Sequence, residues 1–309
     1  MDNKSTKKAY IITLSLWFLL FAFVLLRLFD YNFHEAGVSG IYYGASKDWL
    51  NGKMLYTFSS QRDAGFLYLP NSAVILTPFT YLSLPVFVVV FRIIFIITFV
   101  YAVYLFSRLS SEDKYQKKFY FTIISIITIP LSMSNLDIGQ LHFIITGFLL
   151  IAIYLIEQKK YWASSALIVL SVALKPLFLP VYLIMFALFP KLRSKIIIWT
   201  AFFALLPFFT QNYAYVISQY KAFYKSVLIT AQVGIDQKDK WAQIFNSFYT
   251  ITGIHIYGSI QLIIRIIMAA LCLLYSYIIS KKVNANTALT YILCACVIYI
   301  LLLNPRTEN

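Results

Sequence analysis

Hydrophobic residues in this chain form unbroken runs separated by short polar stretches, with neither strict alternation nor a single helical stripe. Many runs approach the roughly 20 apolar residues that a helix needs to cross a bilayer. They predict nine spans: Ala9–Phe29, Val86–Phe106, Phe119–Met133, Leu141–Ile156, Trp162–Leu174, Leu177–Phe189, Ile196–Phe209, Gly258–Ile279 and Ala288–Leu303. The short pair Trp162–Leu174 and Leu177–Phe189 reads as a helical hairpin turning at Lys175-Pro176. A membrane β-barrel would alternate apolar and polar residues in segments of about 10, and these runs are continuous. The first run follows MDNKSTKK. It is longer than the ~7–15 apolar residues of a signal peptide and lacks a small-residue cleavage site, so it reads as an anchor.

The polar positions concentrate in a few places. Asp30 to Pro85 is too long for a plain connection and carries carboxylates, His34, Gly, Pro and many tyrosines; such a loop is where a membrane protein keeps its chemistry. Pro130, the stretch Asn135–Gln140 and Lys175-Pro176 interrupt later runs, and with the N-terminus inside all three fall on the same outer side as that loop. Non-helical backbone near membrane depth is tolerated where it lines a polar cavity, which predicts a cavity open to the outer face. Thr210–Thr252 forms a second outer region. Its stretch NYAYVISQYKAFYKSVLITA fits either an interfacial helix on the outer leaflet or a helix packed on the bundle.

Composition agrees: 61% of the 309 residues are hydrophobic and 12% charged, with no stretch polar enough for a soluble domain. The fold class is therefore an all-α integral membrane protein, one polytopic domain over residues 1–309. Charge sets its orientation. With the N-terminus cytoplasmic, the inside segments hold 14 Lys/Arg: three in the N-terminal tail, four from Arg108 to Lys118, two at Lys159-Lys160, three from Lys191 to Lys195 and two at Lys281-Lys282. The longer outside segments hold 9, together with eight of the twelve acidic residues. This is the positive-inside bias of a cytoplasmic membrane protein. The net charge of +14 is then explained by basic loops beside anionic membrane lipid, and no nucleic acid is needed as a partner.

Four motifs carry a resemblance. IYYGASKDWLNGKMLY followed by FLYLPNSAVILTPFTYLSLP, then GQLHFIITGFLLIAIYLIEQKKYWASSALIVLSVALKP, then WAQIFNSFYTITG, then NPRTEN resemble, in order, the blocks of the polyprenol-phosphate-dependent glycosyltransferases of family 87. The resemblance implies a GT-C-like bundle with long extracytoplasmic loops. It also implies transfer of a sugar, often mannose or an arabinofuranose, from a polyprenyl-phosphate donor to a lipid or polysaccharide acceptor outside the cytoplasm, with inversion. Members of the family usually continue through further spans after the block that NPRTEN begins, so the resemblance further implies a chain truncated at its C-terminus. No nucleotide-binding Asp-x-Asp, GxGxxG or P-loop is visible, as suits a lipid-carried donor.

Such a transfer needs a carboxylate to take the acceptor's proton and cations to stabilise the departing phosphate. The family commonly places its aspartate a few residues before the tyrosine pair, where this chain has Ser39 and Gly40; Asp30 lies nine residues before Ser39. Asp30 and Glu35, with His34 between them, are the candidates for the base, against the alternative of solvated boundary residues. Lys175 beside Pro176 is a costly position for a cation and calls for an anionic partner, which the resemblance makes the donor phosphate; snorkelling to headgroups is the alternative. Arg306 is similar in kind, or else a boundary arginine at the terminus.

Asp137, Gln140 and His142 either line the acceptor side of the cavity or satisfy broken helix ends. Tyr42, Tyr43, Tyr56, Phe66 and Tyr68 could stack on a sugar or polyprenyl chain, although interfacial belts account for most of the 24 tyrosines. Asp48, in ASKDWLNG, reads as a structural residue on a helix ending at the glycine. Arg27 can snorkel, whereas Arg92 and Arg265 need partners in the bundle or at headgroups. Cys272, Cys294 and Cys296 lack companion ligands, so no metal and no other cofactor is assigned, with a carboxylate-bound divalent ion left open. Two further classes stay in view: a catalytically inactive homologue, and a lipid-linked-sugar flippase or transporter, which should show internal repeats that the chain does not display.

Overall fold

A computed structural model describes residues 3–30, 37–56, 65–109, 113–236, 244–256, 258–283 and 285–303. All regular structure among them is helical: α1 (Asn3–Asp30), α2 (Val38–Leu50), α3 (Pro70–Leu76), α4 (Leu84–Ser107), α5 (Lys114–Ile138), α6 (Leu141–Glu157), α7 (Tyr161–Leu174), α8 (Leu179–Leu188), α9 (Pro190–Leu205), α10 (Tyr213–Asp236), α11 (Ile244–Thr252), α12 (Gly258–Lys282) and α13 (Ala285–Leu303). Short 3₁₀ turns at Thr77–Tyr81, Pro176–Phe178 and Leu206–Phe209 begin at or beside prolines.

Among the described residues, five helices are long and apolar enough to cross a membrane: Thr6–Phe29, Leu84–Ser107, Tyr115–Ile138, Pro190–Phe209 and Gly258–Lys282. Four shorter apolar helices, Leu141–Glu157, Tyr161–Leu174, Pro176–Leu188 and Thr287–Leu303, correspond to the remaining predicted runs. Large apolar side chains such as Phe18, Leu26, Ile263 and Ile266 point outward on α1 and α12. Apolar exposure on this scale marks a lipid-facing surface, and the chain is an all-α membrane protein.

Packing follows sequence order with one offset. α1 lies along α5, α4 against α6, α6 against α7, α7 against α9 and α12 against α13, while α1 meets α4 only slightly. The centre is a row on α4: Phe87, Phe91, Phe95 and Phe99, spaced by four and therefore on one helix face. Their rings are 4.9 Å (Phe87–Phe91) and 4.2 Å (Phe91–Phe95) apart, and Phe99 stacks on Phe143 of α6 at 4.2 Å. All four are buried.

Two of the predicted interruptions take different forms. α5 runs through Pro130 to Ile138, beyond the predicted end at Met133, because a proline costs a transmembrane helix one backbone bond that hydroxyls and neighbouring helices can offset. The carbonyl that Pro130 leaves without its N–H is that of Ile126. The nearby hydroxyls bond other carbonyls of the same helix, Thr128 Oγ1 that of Ile124 at 2.9 Å and Ser132 Oγ that of Thr128 at 2.6 Å, so it is the packing of α5 against α1, α4 and α6 that holds the helix through the proline. The break falls at Gly139, in the left-handed conformation at φ 68°, with the Gln140 N–H returning to the Asn135 carbonyl. This is a Schellman-type stop. At Lys175-Pro176, α7 stops where expected. Lys175 is extended (φ −147°, ψ 109°), as proline requires of the residue before it.

Most of the described part of the long first loop is helical. α2 ends at Asn51-Gly52, and residues 210–219 clasp it. Trp49 Nε1 donates to Thr210 Oγ1 (3.0 Å), Gln211 Nε2 to the Trp49 carbonyl (2.7 Å), Tyr215 Oη to the Lys53 carbonyl (2.6 Å), and the Leu55 N–H to Gln219 Oε1 (3.1 Å). α10 is thus a helix packed on the protein, with Val216 and Gln219 fully buried. Burial pushes the hydroxyls of Tyr56 and Tyr220 above the usual phenol range; burial, with a contribution from Asp48, pushes Tyr215 up to about 12.

Candidate active site

The ends of α1, α5 and α7 and the beginnings of α4 and α6 meet on the face that carries α2, α3 and α10. Two glycines allow the approach. A Cβ on Gly37 (φ +56°), just before α2, would lie 2.6 Å from the Ile138 carbonyl oxygen, and one on Gly139 (φ +68°) would lie 2.8 Å from Ser39 Oγ and 3.2 Å from Arg92 Nη1. The first turn of α2 therefore rests directly on the C-terminus of α5, an approach that only glycine backbone permits at left-handed φ.

Arg92 occupies this junction with no exposure at all. Nη1 donates to Ser39 Oγ (3.2 Å) and the Val88 carbonyl (3.1 Å), and Nη2 to the Asp137 carbonyl (2.6 Å). The last carbonyls of a helix lack intrahelical donors and carry partial negative charge, so the guanidinium closes the end of α5. The Asp137 carboxylate turns the other way, with Oδ2 2.8 Å from Arg27 Nη1 on α1. One residue thus holds two arginines, through its backbone and its side chain.

A second cluster lies alongside. Lys175 is 7% exposed, with Nζ 3.3 Å from His142 Nδ1 and 5.2 Å from the ring centre of Tyr68. The Tyr42 hydroxyl donates to that of Tyr68 at 3.1 Å, and the Tyr56 hydroxyl donates to the Tyr68 carbonyl at 2.6 Å. His142 Nδ1 also meets Gln140 Oε1 at 2.9 Å. An ammonium only donates, so the His142 tautomer that accepts from Lys175 and the one that donates to Gln140 are mutually exclusive.

Lys175 is anchored by its neighbours. Ser72 Oγ of α3 reaches the last α7 carbonyls, Ala173 (3.1 Å) and Leu174 (2.7 Å). The cation stands at the negative end of α7 and faces the positive start of α6, where His142 is the second residue. A cation and an imidazole at a helix N-terminus make a place where an anion is welcome.

Beside His142 a cleft of about 150 Å³ is lined by Phe99, Thr128, Ser132, Asn135, Phe143 and Thr146. It follows the polar stripe that α5 presents around Pro130.

The structure therefore brings Tyr42, Tyr68, Gln140, His142 and Lys175 together, with Asp137 adjacent through the Arg92 junction. Tyr43 is set apart: its hydroxyl donates to the Leu82 carbonyl at 2.8 Å and its ring packs on Phe87. Asp30 ends α1 one turn after Arg27; its side chain, like His34, Glu35 and Arg306, lies outside the described residues. Arg92, flagged from sequence only as needing a partner, is the organiser of the junction. Ser72, Thr128 and Ser132 give no sign in the sequence, since a lone hydroxyl among apolar residues reads as ordinary helix content, whereas Asn135 opens the polar stretch already marked as an interruption. Among the described residues no three His, Cys, Asp or Glu side chains gather to hold a metal ion.

The sequence model of glycosyltransferase family 87 matches residues 66–305, most of the chain. No curated protein and no solved structure matches it.

Proposed function

The chain belongs to glycosyltransferase family 87 and is a membrane glycosyltransferase; on that premise we propose that it moves a hexosyl or pentosyl group from a polyprenyl-phosphate donor to a lipid or polysaccharide acceptor at the face that carries α2 and α10, on the extracytoplasmic side. The observation that carries this reading is Lys175, a nearly buried cation 3.3 Å from His142 at the start of α6. Placing a charged lysine at this depth is costly and suits an anionic partner. The donor phosphate sits on Lys175 and the first turn of α6, with His142 as an additional donor. Tyr68 and Tyr42 form the wall beside it, and the cleft along α5 next to His142 takes a sugar or acceptor hydroxyl.

In the reaction, the acceptor hydroxyl loses its proton to a carboxylate and attacks the anomeric carbon from the face opposite the phosphate. The carbon–oxygen bond to the phosphate breaks, and polyprenyl phosphate leaves with the bonding electrons. The charge that grows on the departing oxygen meets Lys175, and interactions that strengthen in the transition state are those that accelerate the step. Asp137 serves as counter-ion to Arg27, and Asp30 or Glu35 is the base in this scheme. Arg306 is a second phosphate ligand in this scheme.

Purified protein in phosphatidylglycerol-containing vesicles, supplied with radiolabelled polyprenyl-phosphate mannose or arabinofuranose and a glycolipid acceptor, tests it. Lys175→Ala should lower transfer and raise the donor concentration needed for half-maximal rate. Asp30→Asn or Glu35→Gln should lower transfer by roughly 10² or more with donor binding intact. Unchanged turnover and donor affinity in Lys175→Ala would remove the phosphate from this cluster, and full transfer in both amide variants would place the base elsewhere.

A further inference from the structure

On the opposite face, α1 and α4 diverge from a common contact with α5 and leave a groove of about 450 Å³. Its walls are aromatic and aliphatic throughout, including Tyr10, Trp17 and Phe21 on α1 and Ile97 and Tyr101 on α4. From Tyr10 to Phe21 a helix rises about 16 Å at 1.5 Å per residue, close to half of a hydrocarbon core of roughly 30 Å. The groove is thus one leaflet deep. At its mouth it runs into a second cavity of about 330 Å³ that shares Tyr10, Tyr104 and Phe121 and is lined by Arg108, Lys117 and Lys118.

The basic mouth is built. Arg108 Nη1 donates to the Tyr104 hydroxyl at 3.1 Å with the guanidinium 5.4 Å from the ring centre, and Lys118 Nζ lies 5.8 Å from the ring centre of Tyr10. Lys7 and Lys8 stand exposed at the same end of α1. The acidic side chain described here, Asp113, accepts from the Tyr115 N–H at 2.9 Å and so caps α5.

We propose that this is a binding site for one anionic diacyl phospholipid of the leaflet on the α1 N-terminal side, its headgroup phosphate against Arg108 and Lys118 and an acyl chain in the α1–α4 groove. Charge complementarity selects the occupant: an apolar slot alone takes any lipid, whereas a slot that opens under three cations favours a negative headgroup. The lipid fills the gap that α1 and α4 leave and so secures α1 to the bundle.

The test is native mass spectrometry of the detergent-purified, delipidated protein titrated with palmitoyl-oleoyl phosphatidylglycerol or with phosphatidylcholine of the same chains. One phosphatidylglycerol should bind well above the background of further adducts and in preference to phosphatidylcholine. Two near-surface cations, each worth about fivefold in attraction to anionic lipid, give a loss of roughly 30-fold in Arg108→Gln/Lys118→Gln. Ile97→Trp, which fills the groove from an exposed position, should weaken binding without touching the charges. Lys281→Gln/Lys282→Gln, basic residues at the end of α12, should leave it intact. Equal retention of phosphatidylcholine, an equal loss in the α12 variant, or displacement of the lipid by millimolar inorganic phosphate would each overturn the site.

Discussion

Gly139→Ala isolates how much the junction between α2 and α5 depends on close approach. The new Cβ faces two separate costs. The left-handed backbone at φ +68° penalises any L side chain by roughly 1–2 kcal/mol. The methyl would also sit 2.8 Å from Ser39 Oγ, 2.9 Å from Ser39 Cβ and 3.2 Å from Arg92 Nη1, and overpacking of this kind costs about 1–3 kcal/mol more. Gly52→Ala supplies the reference, because Gly52 has φ +66° but no atom within 4 Å of its virtual Cβ; it should cost the backbone part alone. Thermal or denaturant unfolding in a fixed detergent should therefore place Gly139→Ala about 1–3 kcal/mol below Gly52→Ala. Ser39→Gly/Gly139→Ala should recover only part of that difference: it removes both Ser39 atoms from the clash, but the Arg92 Nη1 contact stays, Arg92 loses its Ser39 acceptor, and a glycine in the first turns of α2 costs about 1 kcal/mol. Glycosyl transfer should fall in Gly139→Ala, because α6 begins two residues later and His142 lies three residues later. Equal stability of the two alanine variants would refute the argument that close approach, rather than φ, explains Gly139.

Asp137 supports two arginines unequally. Arg27→Gln breaks a partly exposed pair, 38% and 24% by side chain, and should cost at most about 1 kcal/mol, whereas Arg92→Ala removes the guanidinium that donates to the Ser39 hydroxyl and to the Val88 and Asp137 carbonyls and should cost about 3 kcal/mol; similar unfolding midpoints for the two would contradict this. The phenols that dock α10 have folded pKa values above the unfolded value of about 10, so the folded state holds its protons more tightly. Their contribution is whole below pH 10 and is lost as pH rises between about 10 and the 12 of Tyr215, where proteolysis of α10 should accelerate, and a protease pattern unchanged up to pH 12 would count against it. Orientation is read with single cysteines in a background lacking Cys272, Cys294 and Cys296: Asn51→Cys should react with an impermeant maleimide in intact cells and Lys159→Cys should not, and the reverse pattern would invert the topology.

The nine apolar runs, the helical class and the grouping of polar breaks on one face were all legible in the chain, because the bilayer imposes a length and a continuous apolarity that one-dimensional reading detects directly. Lys175 stood out for the same reason: a cation next to a proline within apolar sequence is conspicuous. The end of α5 was misplaced at Met133, since Pro130 signals a break locally while packing against α1, α4 and α6 carries the helix on to Ile138. Arg92 shows the limit most clearly. Its sequence context says that a partner is required, but besides the local Val88 carbonyl the partners are Ser39, 53 residues away, and a backbone carbonyl at Asp137, 45 residues away. The same holds for Ser72 on the end of α7 and for Tyr42 with Tyr68. Hydropathy is a property of each segment and survives in the sequence, whereas these contacts depend on the order in which helices pack and the rotation of each about its axis, which only the assembled bundle sets.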